Sequence, residues 1–148
     1  MKAYFGRRYI FSASHRLHAD SLSPAQNRAA YGKCNNPHGH GHNYVVEVLV
    51  RGEVATETGM VVNLVDLDRV VRKQVLDRFD HTNLNHDPLF TAVVPTTENL
   101  CRSVYRLLKD HLHPAELEYV RVEETENNFF QCFDDHPAGA NAEGQRVS

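Results

Sequence analysis

HGHNYVVEVLVR, residues 40–51, is the stretch whose reading decides the fold. Tyr44, Val46, Val48 and Val50 occupy every second place. Alternate side chains of an extended chain share a face, so these four make one apolar strand face. His40 and His42 extend the same row backwards, and the face changes from apolar to imidazole at one end. The neighbouring elements fall into place around this strand. Residues 2–14 read as a second strand, with Tyr9, Phe11 and Ala13 on one face and His15 continuing it. Residues 16–38 form a long polar loop in which 23–30 has room for a short helical turn, and 52–59 is a turn. Residues 66–78 carry a helical stripe of Leu67, Val70, Val71 and Val75, with Asp66 and Asp68 near the N-terminal end. After a loop over 79–95, Thr96 or Thr97 caps a second helix with the stripe Leu100, Cys101, Val104, Leu107 and Leu108. Residues 117–124 and 129–133 then read as a hairpin.

The order strand, strand, helix, helix, strand, strand predicts an α+β domain with both helices on one face of an antiparallel sheet. The other sheet face holds valines and aromatics that would need cover, which predicts oligomerisation through the sheet. The 148 residues make one domain, expected over 1–133, followed by a Gly/Ala-rich tail over 134–148 expected to be disordered. With 41% hydrophobic and 24% charged residues the composition is globular, and a net charge of −3 without a basic block argues against nucleic acid as a partner. No apolar run approaches the roughly 18 residues of a membrane helix, and arginines interrupt the N-terminus where a signal peptide needs an apolar run. Three widely spaced cysteines, Cys34, Cys101 and Cys132, do not form a disulfide framework and point to a reducing cytoplasm.

Ten histidines are the anomaly. His40 and His42 lie roughly 6.5–7 Å apart on one strand face, a gap two imidazoles can close around one ion. His15, ending the neighbouring strand on the matching face, supplies a third ligand if the two strands pair. Three histidines without a fourth protein ligand form an open zinc site of the catalytic kind. The competing reading is an exposed histidine tract that binds metal loosely. His38 matches the spacing, but Pro37 precedes it and interrupts a strand. Cys34 has two readings. Lys33 and the imidazoles would lower its pKa and make it a reactive thiolate, or it joins the histidines as a fourth ligand in a closed site. Asp80 next to His81 either orients a basic imidazole or serves turn chemistry. Glu124 continues the row of Val120 and Val122, which is costly for a carboxylate without a partner. It either meets the N–H edge of a ligand or reaches solvent at the strand end.

The pieces FSASHRL (11–17), GKCNNPHGHGHNY (32–44), GMVVNLVDL (59–67), DHTNL (80–84), TTEN (96–99) and ETENN (124–128) occur together and in order. Together they resemble the 6-pyruvoyl-tetrahydropterin synthase / 6-carboxytetrahydropterin synthase family, from about Arg8 to Gln131. The resemblance implies the tunnelling fold (T-fold): a four-stranded antiparallel sheet with two helices on one face, three copies closing into a barrel and two trimers stacking into a homohexamer. It implies Zn²⁺ on His15, His40 and His42. Catalytic roles fall on Cys34, Asp80 and His81, the last two reaching the site from a neighbouring subunit. Substrate contacts fall on Thr96, Thr97, Glu98 and Glu124, with Glu124 anchoring the pterin. The implied activity is a lyase that turns 7,8-dihydroneopterin triphosphate into 6-pyruvoyl-tetrahydropterin and triphosphate. Five residues separate Cys34 from His40, similar to the biopterin branch, whereas the queuosine branch, which makes 6-carboxytetrahydropterin, usually has a shorter gap. That branch is the alternative reading, and a non-catalytic zinc-binding module is the second. His38, Glu123 and the long tail depart from the family pattern.

Overall fold

The computed structural model describes residues 1–135, and its sheet is built around the alternating segment. β2 (His40–Glu53) pairs antiparallel along its whole length with β1 (Lys2–His15), setting Phe11 opposite Tyr44 and His15 opposite His40. On its other side β2 pairs antiparallel with β4 (Glu116–Glu123), which pairs with β5 (Phe129–Cys132). These are the four antiparallel strands expected. A fifth, β3 (Thr82–Asn83), lies parallel to the edge of β1 at Ala13 and Ser14, inside the stretch read as loop. Backbone bonding explains it: His81 N donates to the Ser12 carbonyl at 2.6 Å, and Ser12 N donates to the Asp80 carboxylate at 2.9 Å. The sheet order is β3-β1-β2-β4-β5, so within one chain the sheet is open rather than a closed barrel. The expected tail lies outside the described residues from 136 onward.

The long loop after β1 contains α1 (Pro24–Tyr31), which starts in a capping box of Ser23 and Gln26. The first striped segment forms α2 (Leu64–Val71), where Asn63 accepts from the backbone N–H groups of Val65 and Asp66. It runs on through a wider π-helical turn over 72–76 into a last short piece, α3 (Asp77–Phe79). α4 (Thr97–Leu108) is capped by Thr96, whose hydroxyl accepts from Asn99 N at 3.2 Å. Leu67, Val71 and Val75 join Leu100, Val104 and Leu108 over Phe11, Tyr44, Val46, Val48, Val120 and Val122, all buried. Each such aliphatic side chain removed from water contributes about 1.5–3 kcal/mol, and this layer is what holds the helices to the sheet.

The face away from the helices differs from the apolar surface expected. Tyr4 and Ile10 are exposed there and Val45, Leu49 and Tyr119 share that side, but a charged row of Arg8, Glu47 and Arg121 crosses it. Glu47 accepts from Arg8 and from the Tyr119 hydroxyl, Arg51 pairs with Glu116, and Arg121 lies 3.7 Å over the Phe129 ring. Alternation explains the difference: the valines of β2 and β4 point mainly toward the helices, which leaves Glu47, Arg51 and Arg121 for the open side.

Candidate active site

The antiparallel register places the three histidines. His15 faces His40 directly, and Ala13 faces His42, so His42 is one diagonal step from His15. The rings meet edge to face, with centroids 4.7–5.2 Å apart. His15 is buried, and its Nδ1 lies 2.8 Å from the Pro95 carbonyl and 3.3 Å from the Tyr44 hydroxyl. A carbonyl only accepts, so Nδ1 carries the proton and Nε2 presents a lone pair. That Nε2 lies 3.1 Å from Nε2 of His40. His42 Nε2 is buried and makes no hydrogen bond. Burial holds both His15 and His42 below the ordinary imidazole pKa, which keeps them neutral as metal ligands must be.

Glu124 completes the cluster. Its Oε1 lies 3.0 Å from His42 Nε2 and 3.6 Å from His15 Nε2. One donor atom from each of His15, His40, His42 and Glu124 lies within 4.8 Å of all the others. Donors bonded at zinc-like lengths to a tetrahedral ion are about 3.3 Å apart, so small adjustments suffice for a single ion. The orphaned His42 nitrogen and the inward lone pair of His15 fit a metal. The position that spacing left open has a carboxylate beside it.

Gly39 permits this geometry. Its φ is +69°, and a Cβ added there would lie 2.8 Å from the His15 carbonyl oxygen. The Gly39→Ala variant is therefore expected to lose about 2 kcal/mol or more of stability, read by thermal unfolding of the metal-free protein. Unchanged unfolding would show that the turn relaxes freely.

Cys34 sits in a single 3-10 turn, Gly32–Asn35, and is half-buried. The turn is tied to the end of β1: Leu17 N donates to the Cys34 carbonyl at 2.9 Å, and the Asn35 side chain donates to the Leu17 carbonyl at 2.8 Å. Cys34 is not among the four converging donors. The expected lowering of its pKa is corrected: burial, then the Glu124 carboxylate, push the thiol up. The reason is that the nearby imidazoles are held neutral and Lys33 is exposed.

Asp80 and His81 lie on the far side of β1, by β3. Asp80 Oδ1 lies 2.9 Å from His81 Nδ1, and the Ser12 backbone N–H, then His81, hold its carboxyl low despite desolvation. His81 is exposed and has φ +58°, the one positive value outside glycine among the described residues. It shares an open groove of about 460 Å³ with Ser12, Ser14, His42 and Asn83. Among the described residues no hydrogen bond joins this pair to Cys34 within the chain. Thr96, Thr97 and Glu98 form the start of α4, next to the Pro95 carbonyl that holds His15. Thr97 is buried with an unpartnered hydroxyl, and Glu98 is exposed. His38 is exposed and outside the cluster. Sequence reading missed Pro95, Tyr44 and Asn35 as supports. A backbone carbonyl has no side-chain signature, and the burial of Asn35 shows only in the folded chain.

Fold and cluster together define an α+β protein with a candidate metal centre of three histidines and one carboxylate, set where the first two strands meet. The chain belongs to the 6-pyruvoyl tetrahydropterin synthase family, whose family model matches residues 5–135. It is 49% identical over 127 residues to 6-pyruvoyl tetrahydrobiopterin synthase of Poecilia reticulata, covering 84% of this chain and 86% of that one. The Homo sapiens protein of the same name is 47% identical over 128 residues, covering 86% and 88%. The structure of Caenorhabditis elegans 6-pyruvoyl tetrahydropterin synthase superposes with a TM-score of 0.85 at 42% identity, covering 90% of this chain and 96% of that one. The 6-carboxy-5,6,7,8-tetrahydropterin synthase of Bacillus subtilis is 29% identical over 112 residues, covering 73% and 72%.

Proposed function

We propose that the protein is a zinc-dependent lyase that converts 7,8-dihydroneopterin triphosphate to 6-pyruvoyl-tetrahydropterin with elimination of triphosphate. The observation that carries this reading is the near-full-length similarity to relatives named for that synthase, at 47–49% identity. The nitrogen and oxygen donor set suits zinc, held by His15, His40 and His42. When bound, the metal supplies Lewis acidity that makes C–H bonds beside a side-chain hydroxyl easier to ionise. The chain's own residues do the rest. Glu124 accepts from the 2-amino and ring N–H edge of the pterin and orients it. Cys34 Sγ takes a proton from a side-chain carbon and returns one to another. His81, oriented by Asp80, assists from a neighbouring subunit, and Thr96, Thr97 and Glu98 line the pterin pocket. No external reductant is needed: of the two side-chain carbons oxidised to carbonyls, one is matched by reduction of the dihydro ring and the other by conversion of the phosphate-bearing carbon to methyl as triphosphate leaves.

We place these sites between subunits of a homohexamer of two stacked trimeric barrels. The open edges β3 and β5 and the mixed sheet face support association through the sheet. Free cysteines support a cytoplasmic location, and no helix among the described residues is long and apolar enough to cross a membrane. The test is product analysis. The zinc-loaded protein is incubated anaerobically with 7,8-dihydroneopterin triphosphate, and products are identified by mass spectrometry. A pyruvoyl product with free triphosphate is expected. A carboxy product with acetaldehyde would move the protein to the queuosine branch, and no turnover by folded, zinc-replete oligomer would leave a binding module.

A further inference from the structure

Glu124 has an unresolved claim on it. Its backbone is fixed, since Glu124 N donates to the Asn128 carbonyl at 3.1 Å and closes the turn between β4 and β5. Its side chain is only 15% exposed. Among the described residues no arginine, lysine or backbone N–H donates to its carboxylate, and the groups within ion-pair distance are His15 and His42. The His42 contact makes no hydrogen bond. A mostly buried carboxylate that accepts no hydrogen bond is costly and calls for a partner. Two partners suit it: the ion between the histidines, and a ligand edge with two adjacent N–H donors. The second would engage both carboxylate oxygens, leaving none for the ion.

We infer that Glu124 is shared between metal and substrate: its carboxylate closes the metal shell in the free protein and leaves it when the pterin edge binds. The inference rests on the pterin reading above and deepens it. The metal then has four protein donors while the protein waits, and one position opens only when a pterin is seated. Premature coordination of other oxygen ligands is suppressed, and the carboxylate ties β4 to the ends of β1 and β2. Because one group serves both partners, metal and pterin ring must weaken each other's binding by the same factor.

The test uses the full chain, anaerobically, with Zn²⁺ and 6-methyl-7,8-dihydropterin. That probe has the pterin edge but no side-chain hydroxyls or phosphate, so it cannot compensate the metal for a lost ligand. Calorimetry of wild type is expected to show zinc affinity falling roughly tenfold when the analogue is saturating, and analogue affinity falling equally when zinc is bound. The visible spectrum of the Co²⁺-substituted protein is expected to change on adding the analogue, which a purely through-space effect of the charge would not cause. Glu124→Gln, checked for folding by circular dichroism, is expected to bind zinc roughly tenfold more weakly without any analogue. Independent or mutually strengthened binding in wild type would overturn the sharing and leave the pterin reading standing. An analogue that binds neither the metal-free nor the zinc form would overturn the pterin reading, and the sharing with it.

Discussion

Replacing Cys34 by Ala is expected to lower turnover roughly 10²–10⁴-fold, the range for loss of a positioned acid–base group, while zinc content stays at the wild-type level. The separation follows from position. The converging donors come from His15, His40, His42 and Glu124, and Cys34 is outside that set, in the turn Gly32–Asn35. The turn is held by its backbone and by Asn35, whose side chain reaches the Leu17 carbonyl at 2.8 Å and His18 Nδ1 at 3.0 Å. None of these bonds uses the thiol, so the substitution leaves the loop in place. Burial and the Glu124 charge push the thiol pKa up in the metal-free chain. A bound dication opposes both by adding positive charge nearby, so a working thiolate depends on a loaded site. Cys34→Ser is expected to be nearly as inactive as Cys34→Ala, because a hydroxyl keeps the shape but ionises far less readily than a thiol. Steady-state rates and metal analysis on the same samples check this. Loss of zinc together with turnover would make Cys34 a ligand, and retained turnover would remove it from the chemistry.

What could be read from the sequence, and what could not, divides along physical lines. β2 and its histidine row were legible because a period of two fixes which side chains share a face. His15 was legible because a strand pair that starts its return near residue 40 brings residue 15 beside it, as the His15–His40 pairing records. The caps Thr96 and Asn63 are local, and the first was anticipated. β3 was not legible: Thr82–Asn83 pairs through backbone bonds near Ser12 that depend on where the edge of β1 ends up. The mixed character of the open sheet face needed the whole register before Glu47, Arg51 and Arg121 could be assigned to it. Glu124 was flagged as a carboxylate on a valine row. Its approach to His42 depends on the β2–β4 register, which sets Val45 opposite Glu123, and nothing local marks that register. The direction of the Cys34 shift is hidden for the same kind of reason: its neighbours in sequence suggest positive charge, but the fold supplies burial and the Glu124 carboxylate.

His15→Ala and His40→Ala are each expected to reduce zinc affinity by more than about 100-fold, yet to differ in stability once the metal is stripped. A ligand loss should exceed the 10–100-fold typical of losing only a group that supports a ligand. The difference between the variants comes from what else each ring does. His15 is 1% exposed, packs against Tyr44, and satisfies the Pro95 carbonyl at the entry to α4. Removing it leaves a cavity at the end of β1 and a buried carbonyl without its donor, together about 2 kcal/mol or more. The metal-free His15→Ala protein is therefore expected to melt several degrees below metal-free wild type. His40 is only half-buried, and among the described residues its one hydrogen-bond contact is with His15. Removing it costs only that one partly exposed contact, so the chelated His40→Ala protein is expected to melt close to chelated wild type. Zinc should raise the melting temperature of wild type by clearly more than that of either variant, because stabilisation by a ligand follows its concentration relative to its dissociation constant. Thermal unfolding with chelator and with excess zinc, on all three proteins, separates the two roles. Zinc stabilisation as large as that of wild type in either variant would remove that histidine from the metal shell. Equal melting of the two stripped variants would show that the link from His15 to Pro95 carries no weight in the fold.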